Sequence, residues 1–235
     1  MTRGCWALVA INARVDCKSR LAGKLPVDRR LSLVRAMLER ALTALRGSHT
    51  VTNIAVVTPE RDTIPADVKV IQDPGGGLNA ALDAARKILV GDGASELLVL
   101  PADLPLVTAA EIDQLVESGR RTGFAIATDA AGGGTNALYI APPAPFRFRF
   151  GPGSRLCHLE EAARLGLEAK LLRSHGLEFD LDGPADLDRL LTLRDARYDC
   201  LSVLGTDQTR AAHEPIQRSD EPFGHVIRGS DLGHY

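Results

Sequence analysis

Short apolar runs alternate along this chain with longer stretches in which apolar residues recur every three or four positions. Residues 6–11, 53–58 and 68–71 read as strands, and Leu97-Leu98-Val99-Leu100 begins a fully buried one that runs up to Asp103. Residues 124–128, 136–140, 169–173 and 178–181 continue the series. Between them, residues 29–45 set Leu31, Val34, Leu38, Ala41, Leu42 and Leu45 at helical spacing. Residues 79–89 form a second helix, with Leu78, Leu82, Ala85 and Leu89 on one face. Thr108 followed by Glu111 three positions on is a capping box that opens a third. A fourth begins near Ser154 and runs to about residue 165, and Pro184, favoured at the first helical position, opens a last one. The alternation predicts an α/β fold: a three-layer αβα arrangement around a mostly parallel mixed sheet.

The pattern stops near Asp195. Residues 195–235 are polar, mix Gly, Pro, Asp and His, and show no apolar period, so they read as a weakly ordered tail or an oligomer arm. The domain then covers residues 1–194. The chain has 235 residues, 45% of them hydrophobic and 25% charged, which suits one soluble domain. A net charge of −2 speaks against a nucleic-acid partner, which usually meets a strongly basic surface. No apolar run approaches the ~20 residues a bilayer demands. The stretch at residues 5–11 leads into Asn12-Ala13-Arg14 without a small-residue cleavage site, which marks a strand rather than a leader peptide. Cys5, Cys17, Cys157 and Cys200 are scattered, with no CxxC pair and no His at zinc spacing, so a cytoplasmic protein with reduced thiols is expected.

Carboxylates at strand ends are the first candidate chemistry. Asp103, between Pro101 and Pro105, stands where a central parallel strand ends, and open α/β sheets bind ligands beyond those ends. In Phe179-Asp180-Leu181-Asp182-Gly183, residues two apart on a strand face the same side, so Asp180 and Asp182 should present paired carboxylates. Two parallel carboxylates repel, and a divalent cation relieves that cost. Three carboxylates without His or Cys favour a hard metal, Mg2+, held between protein and substrate phosphate. For Asp182 alone, capping the last helix is the competing explanation. The same Asp-x-Asp-Gly string also resembles the nucleophile motif of haloacid-dehalogenase phosphatases. That motif belongs near the start of its domain, however, and here only a helix and the tail follow.

Cations and glycines surround these acids in the sequence. Lys18 and Arg20 fall in the loop after the first strand, where they could neutralise charge on a phosphoryl centre and its diphosphate leaving group, or simply be solvated. No P-loop string occurs. Gln72-Asp73-Pro74-Gly75-Gly76-Gly77-Leu78-Asn79 lets a ligand approach the backbone, with Gln72 and Asn79 able to read a purine edge, or it is a flexible turn. Thr135-Asn136 and Phe150-Gly151-Pro152-Gly153-Ser154 are further phosphate cradles, Ser154 also being a candidate helix cap. Arg147, Arg149 and Arg155 would draw an acidic substrate to this end.

Six segments in order resemble one family. They are Lys-Ser-Arg-Leu at 18–21, Asp-Pro-Gly-Gly-Gly-Leu-Asn-Ala-Ala-Leu at 73–82 and Leu-Pro-Ala-Asp-Leu-Pro-Leu at 100–106. Gly-Thr-Asn-Ala-Leu at 134–138, Arg-Phe-Gly-Pro-Gly-Ser at 149–154 and Asp-Leu-Asp-Gly-Pro-Ala-Asp-Leu at 180–187 complete the set. Together, over residues 5–193, the chain resembles the 2-phospho-L-lactate guanylyltransferases, which include phosphoenolpyruvate and 3-phospho-D-glycerate guanylyltransferases of deazaflavin coenzyme F-420 biosynthesis. The resemblance implies a nucleotide-diphospho-sugar transferase (glycosyltransferase-A-like) fold. It assigns Asp103, Asp180 and Asp182 to Mg2+, and Thr135, Gly151 and Ser154 to the phosphorylated acid. GTP falls to Lys18, Arg20 and the segment Gln72, Asp73, Gly75, Gly76, Gly77 and Asn79. One departure is Asn12-Ala13-Arg14, where many members carry a Lys; an Arg at a phosphate is not its equivalent.

The reaction this implies joins GTP to a three-carbon phosphorylated acid and releases pyrophosphate, with Lys18, Arg20 and Asp103 at the reacting centre. The acceptor's phosphate oxygen is already anionic, so no general base is needed. Among acceptors the chain's phrasing leans toward 3-phospho-D-glycerate over 2-phospho-L-lactate and phosphoenolpyruvate. Partners would be the two substrates, the enzyme that consumes the product, and a second copy in a homodimer, with no nucleic acid or membrane. Two rivals remain at this level: a nucleotidyltransferase for another base or acceptor (a molybdopterin or sugar phosphate), and a catalytically silent nucleotide-binding protein of the same fold.

Overall fold

The computed structural model describes residues 4–11, 17–61 and 64–193. The expected tail from Asp195, with Cys200, and the loop carrying Arg14 lie outside the described residues. Strands β1 (Cys5–Ala10), β2 (Val51–Thr58), β3 (Lys69–Gln72), β4 (Leu97–Pro101), β5 (Gly123–Ala127), β6 (Ala137–Ile140) and β7 (Glu168–Leu172) form one sheet in the order β3-β2-β1-β4-β6-β5-β7. Helices α1 (Val27–Gly47), α2 (Leu78–Gly91), α3 (Ala109–Arg120), α4 (Ser154–Arg164), the short α5 (His175–Glu178) and α6 (Pro184–Thr192) connect and cover it.

The central strands are apolar throughout because both faces are buried. Leu98 and Leu100 of β4 join Leu33, Leu42, Ile112 and Leu187 in a core on one side, whereas Leu97 and Val99 join Leu82, Leu89 and Phe146 on the other. β1, β5 and β6 divide in the same alternating way. Three layers result: α1, α3 and α6, then the sheet, then α2 and α4. Each fully buried leucine contributes about 2 kcal/mol by leaving water. The expected capping box is present, with Thr108 accepting from the Glu111 amide and Glu111 accepting from the Thr108 amide.

Strand direction decides where loops emerge. β1 is parallel to both β2 and β4, and Ala10 is level with Pro101, so the segments leaving these two strands rise side by side. The chain leaves β1 toward β2 and β3, while β4 lies on the opposite flank, which makes the β1–β4 gap a topological switch point. β6 runs antiparallel to β4, pairing Val99 with Leu138, so Thr135 and Asn136 enter β6 where β4 ends. β5 and β7 are parallel and finish at that same edge.

The opposite edge is secured by polar pairs. Asp113 of α3 accepts from the Thr50 hydroxyl at 2.8 Å and its amide at 3.1 Å, just before β2 starts. Burial opposes its charge, but the bonds from Ser48 and Thr50 outweigh it and hold the carboxyl below its ordinary pKa. Glu96, just before β4, accepts from Arg120 Nε at 3.0 Å and Nη2 at 2.8 Å.

Two expectations fail locally. Residues 178–181 are not a strand: Glu178 ends α5, and residues 179–182 pair with no strand, although the Leu181 amide donates to the Asp103 carbonyl at 3.0 Å. Phe179 and Leu181 are buried while Asp180 and Asp182 are partly exposed, so the two-residue alternation is genuine without a sheet behind it. Leu78 is not on the buried face of α2; it is 44% exposed at the helix start, whereas Leu82, Ala85 and Leu89 are buried.

Candidate active site at the switch point of the sheet

A cleft of about 460 Å³ opens over the carboxyl ends of β1 and β4, lined among others by Lys18, Arg20, Leu78, Asp103 and Asp182. Its floor follows from the strand register. Lys18 opens a single 3-10 turn, Ser19–Leu21, with φ at 46°, the one positive φ outside glycine among the described residues. That turn is pinned from below: the buried Arg30 of α1 donates to the Cys17 carbonyl at 2.7 Å, and Leu21 is fully buried.

The left-handed turn directs Lys18 inward. Its ammonium lies 2.8 Å from Asp103 Oδ2 and 2.9 Å from Asp182 Oδ1, while Arg20, largely exposed, reaches Asp182 Oδ2 at 3.6 Å. Burial works against the Lys18 charge, but Asp103 and Asp182 outweigh it and hold its pKa above the usual lysine value. Asp182 does not cap the last helix. Asp186 performs that task, accepting from the amides of Gly183 at 2.8 Å and Asp182 at 3.1 Å, which leaves the Asp182 carboxylate to the cleft.

Asp180 is held differently. Its Oδ1 accepts from Asn136 Nδ2 at 3.3 Å, and the same amide donates to the Leu177 carbonyl at 3.0 Å. Burial first, with the charges of Asp103 and Asp182 adding and the Asn136 bond opposing, raises the Asp180 carboxyl above its ordinary pKa. Among the described residues, no group of three or more His, Cys, Asp or Glu is arranged to hold a metal ion. The donor chemistry nevertheless suits a hard cation: Asp103 and Asp182 offer only oxygens and already share one positive charge, the Lys18 ammonium. Of the three predicted metal ligands, the structure therefore joins two on one cation and ties the third to Asn136.

The expected nucleotide segment lies beside the cleft and contributes Leu78 to its lining. Gln72 donates to the Pro59 carbonyl at 3.3 Å, and Asp73 accepts from the Gly75 amide at 2.8 Å. Gly75, Gly76 and Gly77 have φ of 82°, 86° and 89°, a run that side-chain-bearing residues avoid, so the turn into α2 requires glycine. Asn79 does not face a base: its amide clasps the Phe150 backbone, accepting from the amide at 2.7 Å and donating to the carbonyl at 2.9 Å.

Thr135, Gly151 and Ser154 form a neighbouring group around the start of α4. Gly153, with φ 70°, is the N-cap, so Ser154 is the first helical residue and not the cap; it is 2% exposed. The Arg155 amide donates to the Gly133 carbonyl at 3.3 Å, joining α4 to the glycine loop before Thr135. The Thr135 hydroxyl is 3.0 Å from His158 Nδ1 on the buried face of α4. Asn136, next in sequence, links this group to Asp180. Sequence reasoning gave no role to His158 or to the Asn136 amide as a link, because a single helical histidine without a second ligand at metal spacing carries no sequence signal.

The fold is that of the nucleotide-diphospho-sugar transferases, with helices about a mixed seven-stranded sheet. A solved chain from Desulfovibrio desulfuricans G20, provisionally described as such a transferase, superposes with a TM-score of 0.69 at 17% identity, over 86% of this chain and 95% of that one. A 4-diphosphocytidyl-2C-methyl-D-erythritol synthase gives 0.56 at 14% identity, over 83% of this chain and all of the other. More specifically, the chain belongs to the guanylyl transferase CofC-like family, whose profile matches residues 5–204. It is 38% identical over 188 residues to a phosphoenolpyruvate guanylyltransferase of Sphaerobacter thermophilus, spanning 78% of this chain and 91% of the relative. It is 36% identical over 183 residues to a 2-phospho-L-lactate guanylyltransferase of Halorubrum lacusprofundi, spanning 77% and 82%. No helix of the described residues is long and apolar enough to cross a membrane.

Proposed function

We propose that the protein is a Mg2+-dependent guanylyltransferase of coenzyme F-420 biosynthesis, joining GTP to a three-carbon phosphorylated acid and releasing pyrophosphate. The observation that carries this reading is the Lys18 ammonium held by Asp103 and Asp182 at the switch point, a charged clamp where phosphates would bind. An acceptor phosphate oxygen attacks the α-phosphorus of GTP; the new P–O bond forms as the bond to the pyrophosphate oxygen breaks. Being anionic already, the attacking oxygen needs no base, and the buried His158 is not one. Lys18 and Arg20 bind and neutralise the GTP phosphates, which aligns the two reactants. Thr135, Gly151 and Ser154 hold the acid, and Asn136 orients Asp180. When bound by Asp103, Asp182 and Asp180, Mg2+ would supply charge neutralisation at the α-phosphate and leaving group.

Phosphoenolpyruvate is the acceptor we propose first, because bacterial relatives at 38% identity carry that name; 3-phospho-D-glycerate and 2-phospho-L-lactate are the alternatives. Incubation with GTP, CTP, ATP or UTP, Mg2+ and each acid, with pyrophosphate release and product masses recorded, tests the reading. Preference for GTP with one acid supports it, and preference for another nucleotide replaces it. Asp103→Asn should lower kcat at least a thousandfold, about 4 kcal/mol of transition-state stabilisation, with the melting temperature little changed. Near wild-type turnover in that variant would remove the clamp from the mechanism.

A further inference from the structure

Resting on the acid-binding reading of Thr135, we propose that His158 is a positioning residue that fixes the Thr135 hydroxyl as a hydrogen-bond donor to the phosphorylated acid. His158 is fully buried, and both ring nitrogens are engaged. Nε2 lies 2.9 Å from the Arg149 backbone nitrogen, and a backbone N–H can only donate, so Nε2 is an unprotonated acceptor. In a neutral imidazole the proton is then on Nδ1. Nδ1 lies 3.0 Å from Thr135 Oγ1, so the ring donates and the hydroxyl accepts. The threonine's own proton is left to point elsewhere, and among the described residues the hydroxyl has no other hydrogen-bond partner. A hydroxyl whose proton is freed in this way suits an anionic oxygen.

The surroundings keep the ring in that role. Phe146 stacks on it with centroids 5.9 Å apart, and Phe150 meets it edge-on at 4.8 Å. Residues 146–150 are fastened to α4 twice through backbone amides, Arg147 to Glu161 at 3.0 Å and Arg149 to His158, before the chain reaches Gly151. One imidazole thus sets the orientation of Thr135 and the path of the segment that delivers Gly151 and Ser154. Burial, with the Arg149 charge adding, depresses the ring pKa to about 4, so the neutral form persists at physiological pH.

Two substitutions separate the ring's two bonds. His158→Gln can place a carbonyl oxygen near the Nε2 position and keep the Arg149 bond while losing the donor to Thr135. His158→Asn can place an N–H near Nδ1 and keep the donor while losing the Arg149 bond. The readouts are calorimetric binding of phosphoenolpyruvate with Mg2+ and steady-state KM for acid and GTP. Thr135→Val and His158→Gln should each weaken acid binding about tenfold or more, the loss of one hydrogen bond to an anion, with KM for GTP within about twofold. The double variant should be no weaker than Thr135→Val alone. Thr135→Ser should bind like wild type, and His158→Asn should bind more tightly than His158→Gln whatever their melting temperatures. Equal acid affinity in wild type and His158→Gln, or additive losses in the double variant, would overturn the inference. So would a ring 15N pattern with the proton on Nε2. Acid binding without guanylylation in wild type would sink the proposed activity and leave the His158 inference to its variants; no acid binding at all would sink both.

Discussion

Acidifying the solution from pH 7.5 to 5 is expected to remove about 2 kcal/mol of folding stability through the His158 ring alone. The ring's pKa falls from 6.5 to about 4 on folding, with burial the main cause, Arg149 adding and Glu161 opposing. The folded state therefore refuses a proton that the unfolded chain accepts. This contribution is complete above pH 6.5 and is lost as pH falls from 6.5 toward 4, reaching about 3 kcal/mol at about 1.4 kcal/mol per unit. The ring is shielded from solvent, with His158 0% exposed. Urea unfolding at both pH values, on wild type and His158→Gln, isolates it, because groups titrating elsewhere act equally on both. The variant should be less stable at pH 7.5, yet its loss on going to pH 5 should be smaller by about 2 kcal/mol. Parallel stability curves for the two proteins would refute the placement of a neutral ring in this site.

Chelating divalent ions should abolish turnover, with activity returning on adding Mg2+; turnover surviving the chelator would exclude the metal. Lys18→Met should cut kcat by about a hundredfold or more, since the proposed mechanism uses its charge to neutralise the GTP phosphates. The same variant should bind Mg2+ more tightly in calorimetry without GTP, because the ammonium no longer competes for Asp103 and Asp182; weaker binding would contradict this. Gly119→Ala should destabilise the fold by about 1–3 kcal/mol in thermal or urea unfolding. A methyl there would stand 2.1 Å from the Tyr139 ring, so an unchanged melting temperature would mean the helix moves freely.

Much of the architecture was legible because burial writes itself into sequence. β4 is buried on both faces and reads as unbroken Leu and Val, while α1 buries one stripe and reads with helical spacing. Thr108 and Glu111 announce their helix because a cap needs those side chains at that offset. Direction is not written in this way: nothing in Ala137–Ile140 distinguishes a reversed strand from a parallel one, since its side chains are buried either way. Residues 179–182 imitate a strand because alternate burial, not pairing, sets the pattern. At the site, Asp103 was legible from fold geometry, because it directly follows a central parallel strand. The Lys18 contact spans 85 and 164 residues of sequence to Asp103 and Asp182, and Asn79 proved to be a clasp for a distant backbone, relations that only the folded chain creates.

The Asp113 and Glu96 attachments lie at the rim remote from the cleft, each just before a parallel strand begins. This separates two duties along β4: Glu96 anchors one end to the scaffold, and Pro101 to Asp103 line the cleft at the other. If the segments around residues 128–136 and 146–154 hold the acceptor as proposed, changes in its preference can accumulate there without drawing on those anchors. A scaffold divided in this way can diversify its chemistry while its folding determinants stay fixed.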